Sequence, residues 1–415
     1  MCYDEADVFR ERKFCMNKIK ANACYMLMHF AMWSIYSILM TYATNFLGGH
    51  GISPSIISVF LGVTAAASCL LQIVSGEMVN RIAKLKMYAV FFGVNAFLAA
   101  GCAMMAGGDA VAVVGMVIAA TLAQSLPAFS NSVGMAAIAK GAPVNYSIAR
   151  GLGSISYAAS AMFMGSLIEK FGIIAIPVGG LIMTVLLTVS VAWFHVGVEK
   201  GLPEDAPTVS GEKQKDNFFA KNPRYSVFLI GAVLLCMSHF LLCTFMEYII
   251  TQFHPGELTD AVKGAIASEQ GIATSISGYV ELPVMFGFAW LAKKIRCDKL
   301  LRFAAIMFIA KALGLYLAGS VGLVYAAQAT QIVGYGLYAI SSVTYAGKVV
   351  SGEDAVRAQS YLASTITAGS VIAMSTGGVM CDLLGVKVML LVSTAAAVAG
   401  AAVVFFSTRG TMDEK

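Results

Sequence analysis

From Asn22 to Ser407 the chain is a succession of long apolar stretches separated by short polar breaks, and that alternation confines it to a bilayer. About 20 apolar residues are needed for one helical crossing, because in lipid each backbone N–H and C=O must be satisfied inside the segment. The sequence predicts twelve such helices, near 22–48, 52–79, 86–106, 110–138, 147–169, 173–197, 224–252, 263–292, 299–319, 321–347, 356–383 and 386–407. Only 12% of the 415 residues are charged, against about 25% in a soluble globular domain. The fold class is therefore an all-α integral membrane protein.

Basic residues set the expected orientation. With the N-terminus in the cytoplasm, 24 of the 28 Lys and Arg residues fall in cytoplasmic segments or at the helix ends beside them. Lys170, Lys263 and Lys387 fall outside, and Lys311 lies within a helix. This asymmetry is what the positive-inside rule asks of a multi-pass cell-membrane protein with both termini cytoplasmic. It also accounts for the net charge of +5 without a nucleic-acid partner.

The longest polar interval carries Pro203, Pro207 and a mixed run of charge, and it divides six helices from six. The expected organisation is a cytoplasmic N-terminus over 1–21, a six-helix bundle over 22–198, a linker over 199–223, a second bundle over 224–407 and a tail over 408–415. Met1–Lys20 is charged and shows no cleavage pattern, so the first helix is expected to insert and stay. Nine scattered cysteines with no CxxC pair suggest neither a disulfide framework nor a zinc site. No phosphate loop of the form GxxxxGK[ST] and no catalytic pair at helical spacing is found, so the expectation is a monomeric non-enzyme with no cofactor and no direct ATP drive.

One regularity suggests an internal repeat. A glycine followed four residues later by a polar residue recurs as Gly76 and Asn80, Gly165 and Glu169, and Gly378 and Asp382. Each pair ends the second helix of a three-helix unit.

Six plus six helices with these endings resemble the major facilitator superfamily. Three stretches resemble the branch that includes lactose permease and the phenylpropionate permeases: LLQIVSGEMVNRIAKLK from Leu70, ARGLGSISYA from Ala149 and VRAQSYLASTITAGSVIAMSTGGVMCDLLGVK from Val356. The resemblance implies two pseudo-symmetric six-helix bundles that rock about a midplane cavity, lined by helices one, two, four, five, seven, eight, ten and eleven. Asn80 replaces the aspartate usual between helices two and three, and Ala83 replaces its glycine.

Candidate residues follow from helical spacing and from that resemblance. Arg150, Ser154, Tyr157 and Ala161 share one helix face. The resemblance implies that Arg150 bonds sugar hydroxyls and Tyr157 stacks on the ring, whereas the residues alone also admit a cationic anchor at the cytoplasmic surface. The acid that the resemblance would put on helix four is missing. Gln124 and Asn131 stand there on one face, so galactoside specificity does not carry over. Helix one presents His29, Trp33 and Tyr36 together, facing either the cavity or the membrane interface, with His29 itself expected to pack with a hydrogen bond.

Helix ten carries the stripe Gln331, Tyr335, Tyr338, Ser342 and Tyr345, which reads as a cavity wall or as polar interhelical packing. The titratable residues that the resemblance implies on this helix correspond to Gln331 and Gly334, and neither titrates. Glu281 in helix eight and Lys311 in helix nine lie equally far from the basic turn Lys293–Lys299, so they are expected at similar depth. They read as a proton site or as a static ion pair. His239 lies deep in helix seven, while Glu247 is expected to reach outside water. The expectation as a whole is a proton-coupled symporter of a small polar organic solute, with a sugar first and an aromatic carboxylate next. A nucleoside transporter or a drug/proton antiporter of the same fold is the alternative. The partners are solute, protons and the lipid bilayer.

Overall fold

The computed structural model describes residues 5–81, 84–139, 142–197, 218–350 and 354–410. Ala83 and most of the 199–223 linker lie outside the described residues, as does the side chain of Asn80. All regular elements among the described residues are helices: α1 (Glu5–Thr41), α2 (Ala43–Gly49), α3 (Pro54–Arg81), α4 (Lys84–Met104), α5 (Asp109–Ala139), α6 (Tyr146–Phe171), α7 (Ala175–Gly197), α8 (Phe218–Lys221), α9 (Pro223–Thr244), α10 (Met246–Thr251), α11 (Asp260–Lys294), α12 (Cys297–Leu317), α13 (Val321–Ala329), α14 (Tyr335–Val349), α15 (Ala355–Leu383) and α16 (Val386–Thr408), with a 3-10 turn at Thr330–Ile332. Among the described residues, nine helices are long and apolar enough to cross a membrane. The other three expected crossings are α4, whose apolar part Tyr88–Met104 is shorter, α11, which carries Glu269, Gln270 and Glu281, and the interrupted tenth helix.

Three expected continuous crossings, 22–48, 224–252 and 321–347, are in fact broken. The first stops at Tyr42 (φ −104°, ψ 16°) and the seventh at Phe245 (φ −103°, ψ 27°), two backbones of nearly the same shape. The tenth changes to a 3-10 turn and then bends at Gly334 (φ −89°, ψ −103°) before α14 begins. Aromatic packing explains the first two breaks. The Tyr42 hydroxyl donates to the Ala161 carbonyl at 2.5 Å, and it has room because Gly165 lacks a Cβ, which would lie 2.8 Å from it. Phe245 is buried where a Cβ on Gly377 would enter its ring. Each ring thus gains a tight seat that an uninterrupted helix would point elsewhere.

Two compact units emerge. The first comprises Met1–Met40, Ala67–Ser160 and Ile174–Glu212, and the second Thr41–Ala66, Ala161–Ile173 and Lys213–Lys415. Within the first, α4 and α5 cross at Gly101 and Gly115, where a Cβ on Gly115 would lie 2.7 Å from the Gly101 carbonyl. Ser37 of α1 donates to the Tyr157 carbonyl of α6 at 2.8 Å. Asn22 holds the turn before α6, donating to the Pro143 carbonyl at 2.8 Å and accepting from the Asn145 N–H at 2.7 Å.

Within the second unit, glycines set two close helix crossings. On α6 and α11, a Cβ on Gly165 would meet the Ala267 carbonyl at 2.6 Å, and one on Gly271 would meet the Ala161 carbonyl at 2.6 Å. On α3 and α15, Gly62 lies against Ser375 and Gly378 against Pro54 and Ser58. The glycine-plus-four spacing then acquires a structural meaning. Asp382 accepts from the Ser55 hydroxyl at 2.6 Å at the start of α3, while Glu169 backs onto Gly264 near the start of α11. Outside the spans, Asp354 bonds Lys221 at 3.1 Å and Arg357 at 3.0 Å. The Lys221 hydrogen bond, with help from Arg357, holds its carboxyl below the usual range.

Gly271→Ala should destabilise the protein by about 1–3 kcal/mol, because the carbonyl it meets is backbone and cannot swing away. Gly287→Ala, placed where a Cβ meets nothing within 4 Å, serves as the control. Melting temperatures of the two purified variants check this, and equal values would contradict the close crossing.

Candidate functional site

In the first unit the sequence candidates gather around a single indole. The Arg150 guanidinium lies over the Trp33 ring, 4.4 Å from its centroid, and Arg150 Nη1 donates to Ser154 Oγ at 2.8 Å. The charge therefore turns along α6 to an aromatic face. Tyr36 and Tyr157 complete the cluster, with ring centroids 5.6 Å and 6.5 Å from Trp33. Gly153 makes it possible, since any Cβ there would enter the indole.

The indole Nε1 of Trp33 is buried with no hydrogen-bond partner among the described residues. His29 contradicts its expected hydrogen bond. Both its ring nitrogens are buried without partners among the described residues, and its ring stands edge-on to Tyr25 and Tyr146. Asn131 Oδ1 is likewise buried and unpartnered. Gln124 accepts from Gln72 Nε2 through its backbone carbonyl at 3.3 Å, tying α5 to α3.

The second unit holds the charged candidates. Lys311 is 5% exposed, and its ammonium donates to Gln331 Oε1. Gln331 Nε2 in turn donates to Glu281 Oε1 at 2.7 Å. One amide thus spans from cation to carboxylate, with its oxygen toward the charge it can accept from and its nitrogen toward the charge it can donate to. Its position in the 3-10 turn allows this, because the break beside Gly334 lets Gln331 reach α11 and α12 together.

Cys243 Sγ lies 3.9 Å from Lys311 Nζ and 3.7 Å from His239 Nε2. The His239 ring stacks on Tyr335 with centroids 4.1 Å apart and planes 7° from parallel. A cavity of about 10 Å³ opens among Ser238, His239, Lys311, Gln331 and Tyr335, close to the smallest size that holds one water.

The expected helix-ten stripe is not one continuous face. Gln331 and Tyr335 flank the break, Tyr338 packs edge-on against Phe308 at 5.5 Å, and Tyr345 lies against Phe228 at 5.2 Å. α11 runs unbroken through Pro283. Glu247 departs from expectation, because its Oε2 is buried without a partner among the described residues instead of reaching water.

These features meet an independent similarity. A family model, the MFS_1 like family, matches residues 22–392. The chain belongs to the MFS_1 like family. It is thus a multi-pass integral membrane protein of the major facilitator fold, a secondary transporter and not an enzyme. Among solved structures of this fold, the nucleoside transporter NupG aligns with TM-score 0.71 at 14% identity, covering 95% of this chain and 99% of that one. A bacterial homologue of the iron transporter ferroportin, in its inward-facing state, aligns with TM-score 0.71 at 13% identity over 94% and 99%. A bacterial homologue of the human lysosomal transporter Spinster gives TM-score 0.65 at 12% identity over 96% and 98%. At such identities the likeness is one of fold alone. Among curated proteins no sequence matches.

Helical spacing already sets Cys243 one turn from His239 on the same face of this family member, whereas the bridging role of Gln331 is not visible in the sequence. Gln331→Leu should cost about 1.5–3 kcal/mol for each hydrogen bond to a charged group that it removes. A fall in melting temperature larger than that of Gln328→Leu would show it, and an unchanged value would contradict the bridge.

Proposed function

We propose that this protein is a proton-coupled symporter of a small polar organic solute carrying a ring, with a sugar as the first candidate. The observation that carries the reading is the Lys311–Gln331–Glu281 chain of hydrogen bonds beside a one-water cavity. Protonating Glu281 would cancel the carboxylate and leave the Lys311 charge unbalanced, held by the neutral Gln331 oxygen and open to a further acceptor. A solute rich in hydroxyl or carbonyl oxygens supplies one, so proton and solute favour each other's binding.

In this reading Arg150, Trp33 and Tyr157 hold the solute in the first unit, with Gln124 and Asn131 as further polar contacts. Tyr335 and Tyr338 are the candidate ring contacts of the second, and His239 accompanies Glu281 and Lys311. Gln331 serves both roles. A cytoplasmic position for both termini, residence in the cell membrane and an organisation as six plus six helices around the 199–223 linker belong to the same proposal.

A nucleoside is the second reading. It is favoured by the three rings of Trp33, Tyr36 and Tyr157, which suit a flat base, and NupG, whose structure shares this fold, is a nucleoside transporter.

Uptake into proteoliposomes across a panel of sugars, nucleosides and aromatic acids, with and without an imposed pH gradient, tests both readings. Gradient-driven accumulation is expected for one class, and accumulation indifferent to the gradient would overturn symport. Glu281→Gln should lose gradient-driven accumulation while keeping solute exchange. Arg150→Lys should raise the half-saturating solute concentration by about tenfold, equivalent to about 1.4 kcal/mol.

A further inference from the structure

The polar run Thr41 to Asn45 crosses the break between α1 and α2, and it leaves buried oxygens unsatisfied. Thr41 Oγ1, Thr44 Oγ1 and Asn45 Oδ1 have no hydrogen-bond partner among the described residues. Those residues are 5%, 1% and 8% exposed. Gln270 of α11 is wholly buried and donates through Nε2 to the Thr41 carbonyl at 2.6 Å. Its Oε1 is then a buried acceptor with no donor among the described residues. From α10, Glu247 turns its Oε2 inward, with no partner for that oxygen among the described residues, and Thr44 is the hydroxyl set toward the same carboxylate. All five residues belong to the second unit.

The threonine hydroxyls alone cannot satisfy these acceptors. The Asn45, Gln270 and Glu247 oxygens accept only, whereas the two threonine hydroxyls hold one proton each. Two hydroxyl protons are fewer than three acceptors, whereas a cation taken up by these oxygens would need no further donor. A single carboxylate among four neutral oxygens balances one positive charge, and an all-oxygen set suits a hard cation. Among the described residues no group of three or more His, Cys, Asp and Glu could hold a metal, so a transition-metal centre is not what gathers here.

α1 ends at Thr41 and α9 at Thr244, and each break is followed within a few residues by members of the cluster. Helix C-termini carry partial negative charge, and such half-helix ends coordinate cations in membrane transporters. Lys263 faces Glu247 from α11, but it is half exposed and lies 3.8 Å from Asp260.

We propose that Thr41, Thr44, Asn45, Glu247 and Gln270 form a sodium site at the paired helix breaks. The oxygens come from α1, α2, α10 and α11, so a bound ion favours the arrangement that holds these elements together. The site stands apart from Glu281 and does not depend on which solute is carried.

Thermal unfolding of the purified full-length protein, with sodium replacing choline at constant ionic strength, tests the site. A saturable rise in Tm with sodium is expected. Its half-saturating concentration should increase at least about tenfold in Glu247→Gln and in Thr44→Val. The second variant keeps size and charge, so the test survives if the first fails to fold. Equal melting in sodium and choline, or a wild-type sodium response in both variants, would overturn the site. Stabilisation that follows pH but not sodium would overturn it too, by replacing the ion with a proton on Glu247. A sodium response that persists in Glu281→Gln separates this site from the proton reading.

Discussion

An ammonium and a carboxylate in an apolar interior are tolerable only when each is held by groups that replace water, and the second unit is arranged around that requirement. Lys311 and Glu281 sit on different helices, and the side chain that meets both comes from a third. For Gln331 to reach them, the tenth helix must give up its regular path, and it does so in the 3-10 turn before Gly334. A local loss of helical hydrogen bonding is thereby exchanged for the satisfaction of two charges, each of which would cost several kcal/mol if left alone.

The same trade recurs at Tyr42 and Phe245. These breaks have matching backbone angles and matching causes, an aromatic ring seated over a glycine of a neighbouring helix. Interruption in lipid is acceptable because the freed groups face protein and not hydrocarbon. The glycines also bring α6 against α11 and α3 against α15 so closely that backbone meets backbone. Small residues therefore do in this fold what large apolar ones do in a soluble core, since lipid offers no hydrophobic gain for bringing helices together. Each broken helix leaves polar groups near its break, Gln331 at the tenth, the oxygens around Thr41 at the first and Glu247 at the seventh. Broken helices thus concentrate the chemistry that apolar spans exclude.

In the first unit a guanidinium is used differently. Arg150 is turned onto Trp33 and braced by Ser154, so its planar face is occupied by an aromatic face while the edges keep donors in hand. A lysine could not reproduce that stack. The arrangement depends on Gly153, whose lack of a side chain is what lets α1 and α6 bring the two groups together.

Much was legible in the sequence because lipid imposes a period and a length on any segment that crosses it. The runs of apolar residues determine the helical class and nearly all the crossings. Helical spacing alone puts Arg150 with Tyr157, and His29 with Trp33 and Tyr36. Equal distances from one turn raise the pairing of Glu281 with Lys311. What spacing cannot carry is the third partner. Gln331 looks like the first member of a continuous stripe until the helix breaks, and Glu247 looks exposed until its oxygen is found buried. Only the tertiary structure decided these, because a break is chosen by the ring or charge it serves on another helix, and no single segment encodes the neighbour it will meet.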